Sequence, residues 1–134
     1  MKLYPSLLTA SINEFKQQLD LVKKNDEIEA IQVDVIDGYF AENLTLTPAD
    51  LTQQDFGELK IDFHLMTEEP MDFVNELVAV KKYLPVRSVI AQIERMSSQV
   101  AYLKQVKQHD WQAGISLDLF TPLGSIETEA WSEL

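Results

Sequence analysis

Two rhythms of apolar residues alternate along the chain. Every-second-residue alternation occupies Ala30–Ile36, Leu59–Met66, Val89–Glu94 and Gly114–Asp118, and a shorter stretch covers Pro5–Leu8. In Leu59–Met66 the apolar set is Leu59, Ile61, Phe63 and Leu65, with Lys60, Asp62, His64 and Met66 between them. Elsewhere Ile31, Val33 and Val35 alternate with Gln32 and Asp34, Val89, Ala91 and Ile93 with Gln92 and Glu94, and Ile115 and Leu117 with Ser116 and Asp118. Ser6 sits between Pro5 and Leu7 in the same manner. These strand-like segments end near Leu8, Val35, Leu65, Ile93 and Leu117, at a period of about 24 to 30 residues.

Helix-like segments fill the gaps. Ser11 followed by Glu14 predicts a capping box opening a helix over Ile12–Lys24, with Phe15, Leu19 and Val22 on its apolar face. Lys23 and Lys24 suit the negative end of that helix. Pro48 fits the first turn of a short second helix. Pro70 opens a third, through Tyr83, lined by Phe73, Leu77 and Val80. Ser97 or Ser98 caps a fourth that buries Val100, Leu103 and Val106, and Pro122 opens a fifth reaching the C-terminus. Strand and helix alternating at this spacing predict βα units and a parallel sheet.

A sheet covered by helices on both faces reads as continuous apolar runs. These strands instead have one apolar and one polar face, which a closed barrel explains: helices cover the outside, and polar strand ends line a site at the top. The polar set is Ser6, Gln32, Asp34, His64, Met66, Gln92, Glu94 and Asp118. The alternative is an antiparallel sheet with one solvated face, against which the intervening helices argue.

Composition narrows the chemistry. The 134 residues are 46% hydrophobic, 25% charged and 9% aromatic, the balance of one folded domain. The net charge of −11 offers no basic footprint for nucleic acid or an anionic membrane. Without cysteine there are no disulfides, thiolate nucleophiles or Cys-held zinc. No apolar run approaches the roughly 18 residues that cross a bilayer. The opening MKLYPSLLTAS has the look of a weak signal peptide, but it repeats the strand pattern and is read as a first strand. The expected location is cytoplasmic.

Gln32 and Asp34 project to one side of their strand, and His64 ends the next strand facing the same space. An aspartate, a histidine and an amide oxygen in one place are potential ligands for a divalent metal. A carboxylate beside a metal also moves protons to and from carbon. The competing reading makes His64 a hydrogen-bonded structural residue. Asp37-Gly38 reads as a turn, Met66 as packing, and His109 as a solvated loop residue. The acidic Thr67–Glu69 stretch favours the positive end of the helix that follows.

Several words in order resemble the ribulose-phosphate 3-epimerase family: PSLLTAS at Pro5–Ser11, VDVIDGYFAENLTLTP at Val33–Pro48, IDFHLMTEEP at Ile61–Pro70, and AGISLDLFTPLGSIE at Ala113–Glu127. The resemblance runs along the whole chain. It implies an α/β fold of the (β/α)8 TIM-barrel family, truncated here to about five βα units, so that residues 1–134 form the N-terminal part of a single barrel. It also implies an isomerase that moves a proton at C3 of a sugar phosphate through an enediolate, with a divalent metal held by two histidines and two aspartates.

Residue by residue, the resemblance makes Asp34 the first catalytic aspartate and a metal ligand. His64 becomes a metal ligand and substrate contact, Ser6 a substrate-binding residue, and Met66 part of the apolar collar around the enediolate. Gln32 stands where the family has its first metal-binding histidine, and an amide is the poorer ligand for zinc or iron. Gln92 replaces a further histidine, while Glu94 is kept. A complete barrel of this kind has about 250 residues. The family's second aspartate and its glycine-rich phosphate loops would therefore lie beyond Leu134.

Three expectations follow. The complete protein epimerises a sugar phosphate. Alternatively, it binds a sugar phosphate without a normal metal site. The 134 residues alone are expected to be inactive and, with two open strand edges, either poorly stable as a monomer or self-associated edge to edge as a homo-oligomer.

Overall fold

The computed structural model describes residues 2–134. Five strands alternate with helices: β1 (Ser6–Leu7), α1 (Ile12–Val22), β2 (Ala30–Ile36), β3 (Lys60–Met66), α2 (Pro70–Val80), β4 (Val86–Gln92), α3 (Gln99–Lys107) and β5 (Gln112–Ser116). The strands are all parallel and lie in the order β1-β2-β3-β4-β5. A doubly wound sheet reverses its strand order at a switch point. Strictly sequential order with right-handed crossovers puts every helix on the same face, which is the arrangement of a (β/α)8 barrel. The chain forms an open five-strand piece of that architecture, and the antiparallel alternative is excluded.

The period-two reading of the faces holds. Ile31, Val33, Val35, Ile61, Phe63, Leu65, Val89 and Ala91 are buried and join Phe15, Leu19, Val74, Leu77, Leu103 and Val106 in one core. Tyr102 lies in the same core, and its hydroxyl donates to the carbonyls of Val89 (2.9 Å) and Gly114 (3.2 Å), tying α3 to both neighbouring strands.

Several boundaries differ from the sequence reading. Helix α1 stops at Val22 with Lys23 as its C-cap, and only Phe15 and Leu19 of its face are buried. Ser11 does accept from the Glu14 amide (3.3 Å), but the Glu14 carboxylate takes the Thr9 hydroxyl instead of closing the box. The reciprocal box forms at Thr47 and Asp50, around a single 3-10 turn at Pro48–Leu51. Helix α2 ends at Val80, and Val74, not Phe73 or Val80, shares its buried stripe with Leu77. Ser98 caps α3, which buries Gln99 and Tyr102 beside Leu103 and Val106 and leaves Val100 half-buried.

The expected fifth helix is absent. Two 3-10 turns, Leu123–Ser125 and Thr128–Ser132, replace it. Ile126 between them is extended (φ −76°, ψ 125°) and buried, so its side chain is an anchor and not a helix position. The Glu127 carboxylate accepts from the amides of Gln99 (3.1 Å) and Val100 (3.2 Å), and its own amide donates to Gln99 Oε1 (2.8 Å). This exchange satisfies the free N–H groups at the start of α3 in place of continuing a helix.

Candidate functional site

Register decides which polar residues meet. Asp34 pairs with His64 across β2 and β3, and His64 with Ile90 and Ile90 with Gly114 across the next two boundaries. Ser6 pairs with Gln32. All of these point away from the helices. At Gly114 a Cβ would come within 3.1 Å of the Ile90 side chain, so the glycine keeps that row open beside His64.

Asp34 is the centre. Its Oδ2 accepts from the Ser6 hydroxyl at 2.5 Å, and its Oδ1 accepts from Gln32 Nε2 at 2.8 Å. His64 Nδ1 lies 3.1 Å from the same Oδ1. Burial pushes the Asp34 carboxyl up, but the hydrogen bonds from His64, Ser6 and Gln32 together outweigh it and hold the pKa below the ordinary aspartate value. Asp34 is therefore an ionised carboxylate at neutral pH. On the other side of the ring, His64 Nε2 is 3.4 Å from the Gln92 amide. That amide is best satisfied with its nitrogen donating to the Ser116 carbonyl and Glu94 Oε2 and its oxygen accepting from Ser116 Oγ, each at 3.2 Å. In that orientation the oxygen faces Nε2, and the imidazole has an acceptor at each nitrogen.

The structure thus brings together Ser6, Gln32, Asp34, His64 and Gln92. Met66 ends β3, half-buried, opposite Ile36. Glu94 and Asp118 lie beyond their strands, which end at Gln92 and Ser116. Asp118 is exposed, and its amide donates to Glu94 Oε1 at 2.8 Å, so the pair forms a loop tie and not part of the inner row. The sequence reading extended both strands because their alternation continues past the last ladder bond. His109 lies in the turn after α3, as expected, but is half-buried with its ring 5.2 Å from Trp111 instead of fully solvated.

Supporting residues came only with the structure. The buried Thr45 hydroxyl accepts from the Ile36 amide (2.9 Å) and donates to the Asp34 carbonyl (3.0 Å), bracing the end of β2. Asp37-Gly38 is a turn, as expected, with Gly38 at φ +83°. Asp37 Oδ1 accepts from the amides of Tyr39 (2.9 Å) and Phe40 (3.0 Å), and Oδ2 takes the Glu68 amide of the next loop at 2.7 Å. Glu69 caps α2 and also accepts from the Ser97 hydroxyl and amide. Glu94 then reaches the β5 loop. Each mouth loop from β2 onward is tied to the next by a carboxylate accepting a backbone N–H.

Lower on the same face, an extra residue in β4 shifts its pairing with β3 between Ile61 and Asp62 and turns Arg87 inward. Arg87 forms a forked pair with Asp62, which also accepts from Ser88 Oγ at 2.6 Å, and the guanidinium lies over the Tyr4 ring (4.3 Å). No spacing in the chain signals this pair.

The same geometry bears on a divalent metal. Asp34 and His64 offer two donors at a spacing that one cation can bridge. Gln32 turns its N–H onto Asp34, where a cation would have to displace it. No group of three His, Cys, Asp or Glu side chains converges among the described residues. Divalent cations take four or more ligands. The described residues do not by themselves make up such a donor set. What they do form is an ionised carboxylate flanked by an imidazole, a hydroxyl and one amide, the kind of group that exchanges a proton with a small molecule.

Comparison with known proteins bears on the family of the chain. The chain is 29% identical over 128 residues to the ribulose-phosphate 3-epimerase of Bacillus subtilis, covering 95% of this chain and 57% of that protein. It is 30% identical over 128 residues to the ribulose-phosphate 3-epimerase of Helicobacter pylori, covering 95% and 56%. It is 30% identical over 124 residues to the chloroplastic ribulose-5-phosphate-3-epimerase of Arabidopsis thaliana, covering 92% and 43%. The chain therefore spans about half the length of the curated relatives it matches. The profile of the ribulose-phosphate 3-epimerase family matches residues 2–131, and with that match the chain belongs to this family.

Proposed function

We propose that residues 1–134 are the N-terminal part of a single barrel whose complete form epimerises a ketose phosphate at C3. The observation that carries this is the ionised Asp34 beside His64 at the mouth of a family-type sheet. In the proposed reaction the Asp34 carboxylate takes the C3 proton. The bond electrons move into the C2–C3 bond and the carbonyl π electrons onto the C2 oxygen, giving an enediolate. A proton returned from the opposite face completes the inversion. Ser6, Gln32 and His64 orient Asp34, His64 also contacts the substrate, and Met66 packs against it. The group that works from the opposite face has to come from outside these residues, so the isolated chain is expected to be inactive.

The test is solvent-deuterium exchange at C3 of ribulose 5-phosphate with the complete gene product and its Asp34→Asn variant. Loss of a proton-transfer group of this kind costs about 10² to 10⁴ in rate. Unchanged exchange in the variant removes Asp34 from the mechanism. The second reading, a sugar-phosphate binder without turnover, is favoured by one contact: the Gln32 N–H sits on Asp34 Oδ1, where a metal site would need a ligand. Calorimetric binding without exchange in the complete protein would select it.

A further inference from the structure

A sizeable concavity lies away from the mouth. A groove of about 690 Å³ opens at the other end of the sheet, among the N-terminal ends of β3, β4 and β5 and the turns that lead into them. Lys60, Lys81, Lys82 and Arg87 line it, against Asp110 as the one carboxylate in the lining, with Trp111 as part of the apolar wall. Four other cavities are smaller, at about 120 to 360 Å³, and in each of them carboxylates equal or outnumber the cations.

This concentration of cations stands out on a chain with 22 acidic and 11 basic residues. Of the six lysines outside the groove, Lys2, Lys16, Lys23, Lys104 and Lys107 each pair with a carboxylate, and Lys24 alone does not among the described residues. Lys60, Lys81 and Lys82 make no ion pair among the described residues, although the chain has twice as many acids as bases. Arg87 is held in place by Asp62 and Lys82 lies over the Tyr83 ring (4.7 Å), while all three lysines are exposed. Ammonium groups of this kind are point-charge ligands for phosphate oxygens.

We propose that this groove binds a small, multiply phosphorylated anion. Size and field together select that class. A cavity of this volume falls in the range of small-ligand sites. An extended acidic partner would have to run beyond the groove along a chain of net charge −11, where repulsion acts over a screening length of about 8 Å. A compact anion inside the ring of lysines meets the cations first. The site is remote from Asp34, at the opposite ends of the strands, and owes nothing to the proposed epimerase chemistry.

The test is calorimetric titration of the whole chain with inorganic pyrophosphate at fixed ionic strength. Saturable binding is expected at millimolar pyrophosphate or below, weakening as salt is raised. The combined Lys60→Gln, Lys81→Gln and Lys82→Gln variant should bind at least roughly tenfold more weakly, because each exposed charge contributes a modest but additive share. The single Lys81→Glu reversal gives a smaller loss with less risk to folding. A Lys16→Gln, Lys104→Gln control and Asp34→Asn should both bind as the parent does. No saturable heat, equal binding by the triple variant, or loss on Asp34→Asn would each overturn the proposal. So would tighter binding of a glutamate-rich peptide than of pyrophosphate.

Discussion

Asp34 and Asp37 sit three positions apart and do different work. Asp34 gathers side-chain donors, whereas Asp37 gathers backbone amides from its own turn and from the loop after β3. For Asp37, burial pushes the carboxyl up and the amides of Glu68, Phe40 and Tyr39 more than reverse it. Glu94 is lowered in the same way, by bonds from Thr121 and the Asp118 amide against its burial. A carboxyl whose pKa is lower folded than unfolded adds stability above its unfolded pKa and loses it as pH falls through the folded one. Thermal stability should therefore be level near neutrality and decline below about pH 4. Asp37→Asn should lower the plateau by about 1 to 2 kcal/mol and make the acid decline shallower. Melts of the two proteins between neutral and acid pH check this, and an unchanged acid limb would show that Asp37 contributes nothing there.

The C-terminal segment shows how one element can be held without regular structure. Its 3-10 turns carry little cohesion of their own. It is fastened by buried Ile126 and Ala130, by the Gln99–Glu127 exchange, and by Lys107 reaching Glu133 at 3.0 Å. Gln99 is itself buried and donates to the Ser125 carbonyl at 2.8 Å. Gln99→Ala should leave the Glu127 and Ser125 groups unmatched and release the segment, at about 1 to 3 kcal/mol. Hydrogen exchange should then accelerate over 123–134 while β2 and β3 keep their protection. Equal acceleration in the central strands would mean that the segment is part of the global folding unit.

Strands β2, β3 and β4 are covered on both edges, but β1 and β5 each present an unpaired edge. Every residue of β5 is partly exposed, and Leu119 (88% exposed), Phe120 (91%) and Leu123 (71%) follow it. Such an edge is a template for another strand, and the net charge of −11 opposes that pairing by general repulsion. As these 134 residues alone, the protein should associate through its edges, more strongly as salt screens the repulsion. Sedimentation at low and high salt checks it. A dilute monomer at both, with a sharp cooperative melt, would refute it.

Local order was legible in the chain because it repeats. A period of two assigns each strand its covered and open faces, and that parity alone put Gln32, Asp34 and His64 on the same side. The order of strand and helix likewise carried the parallel sheet. What the sequence could not specify is which residues some 30 positions apart touch. The bonds from Ser6 and His64 to Asp34, the Arg87–Asp62 pair across a shifted ladder, the Asp37–Glu68 tie and the Glu127 cap on α3 all depend on register between separate elements. Periodicity determines which way a side chain faces. Only the packed sheet determines what it faces, because register is set by the summed fit of the whole core.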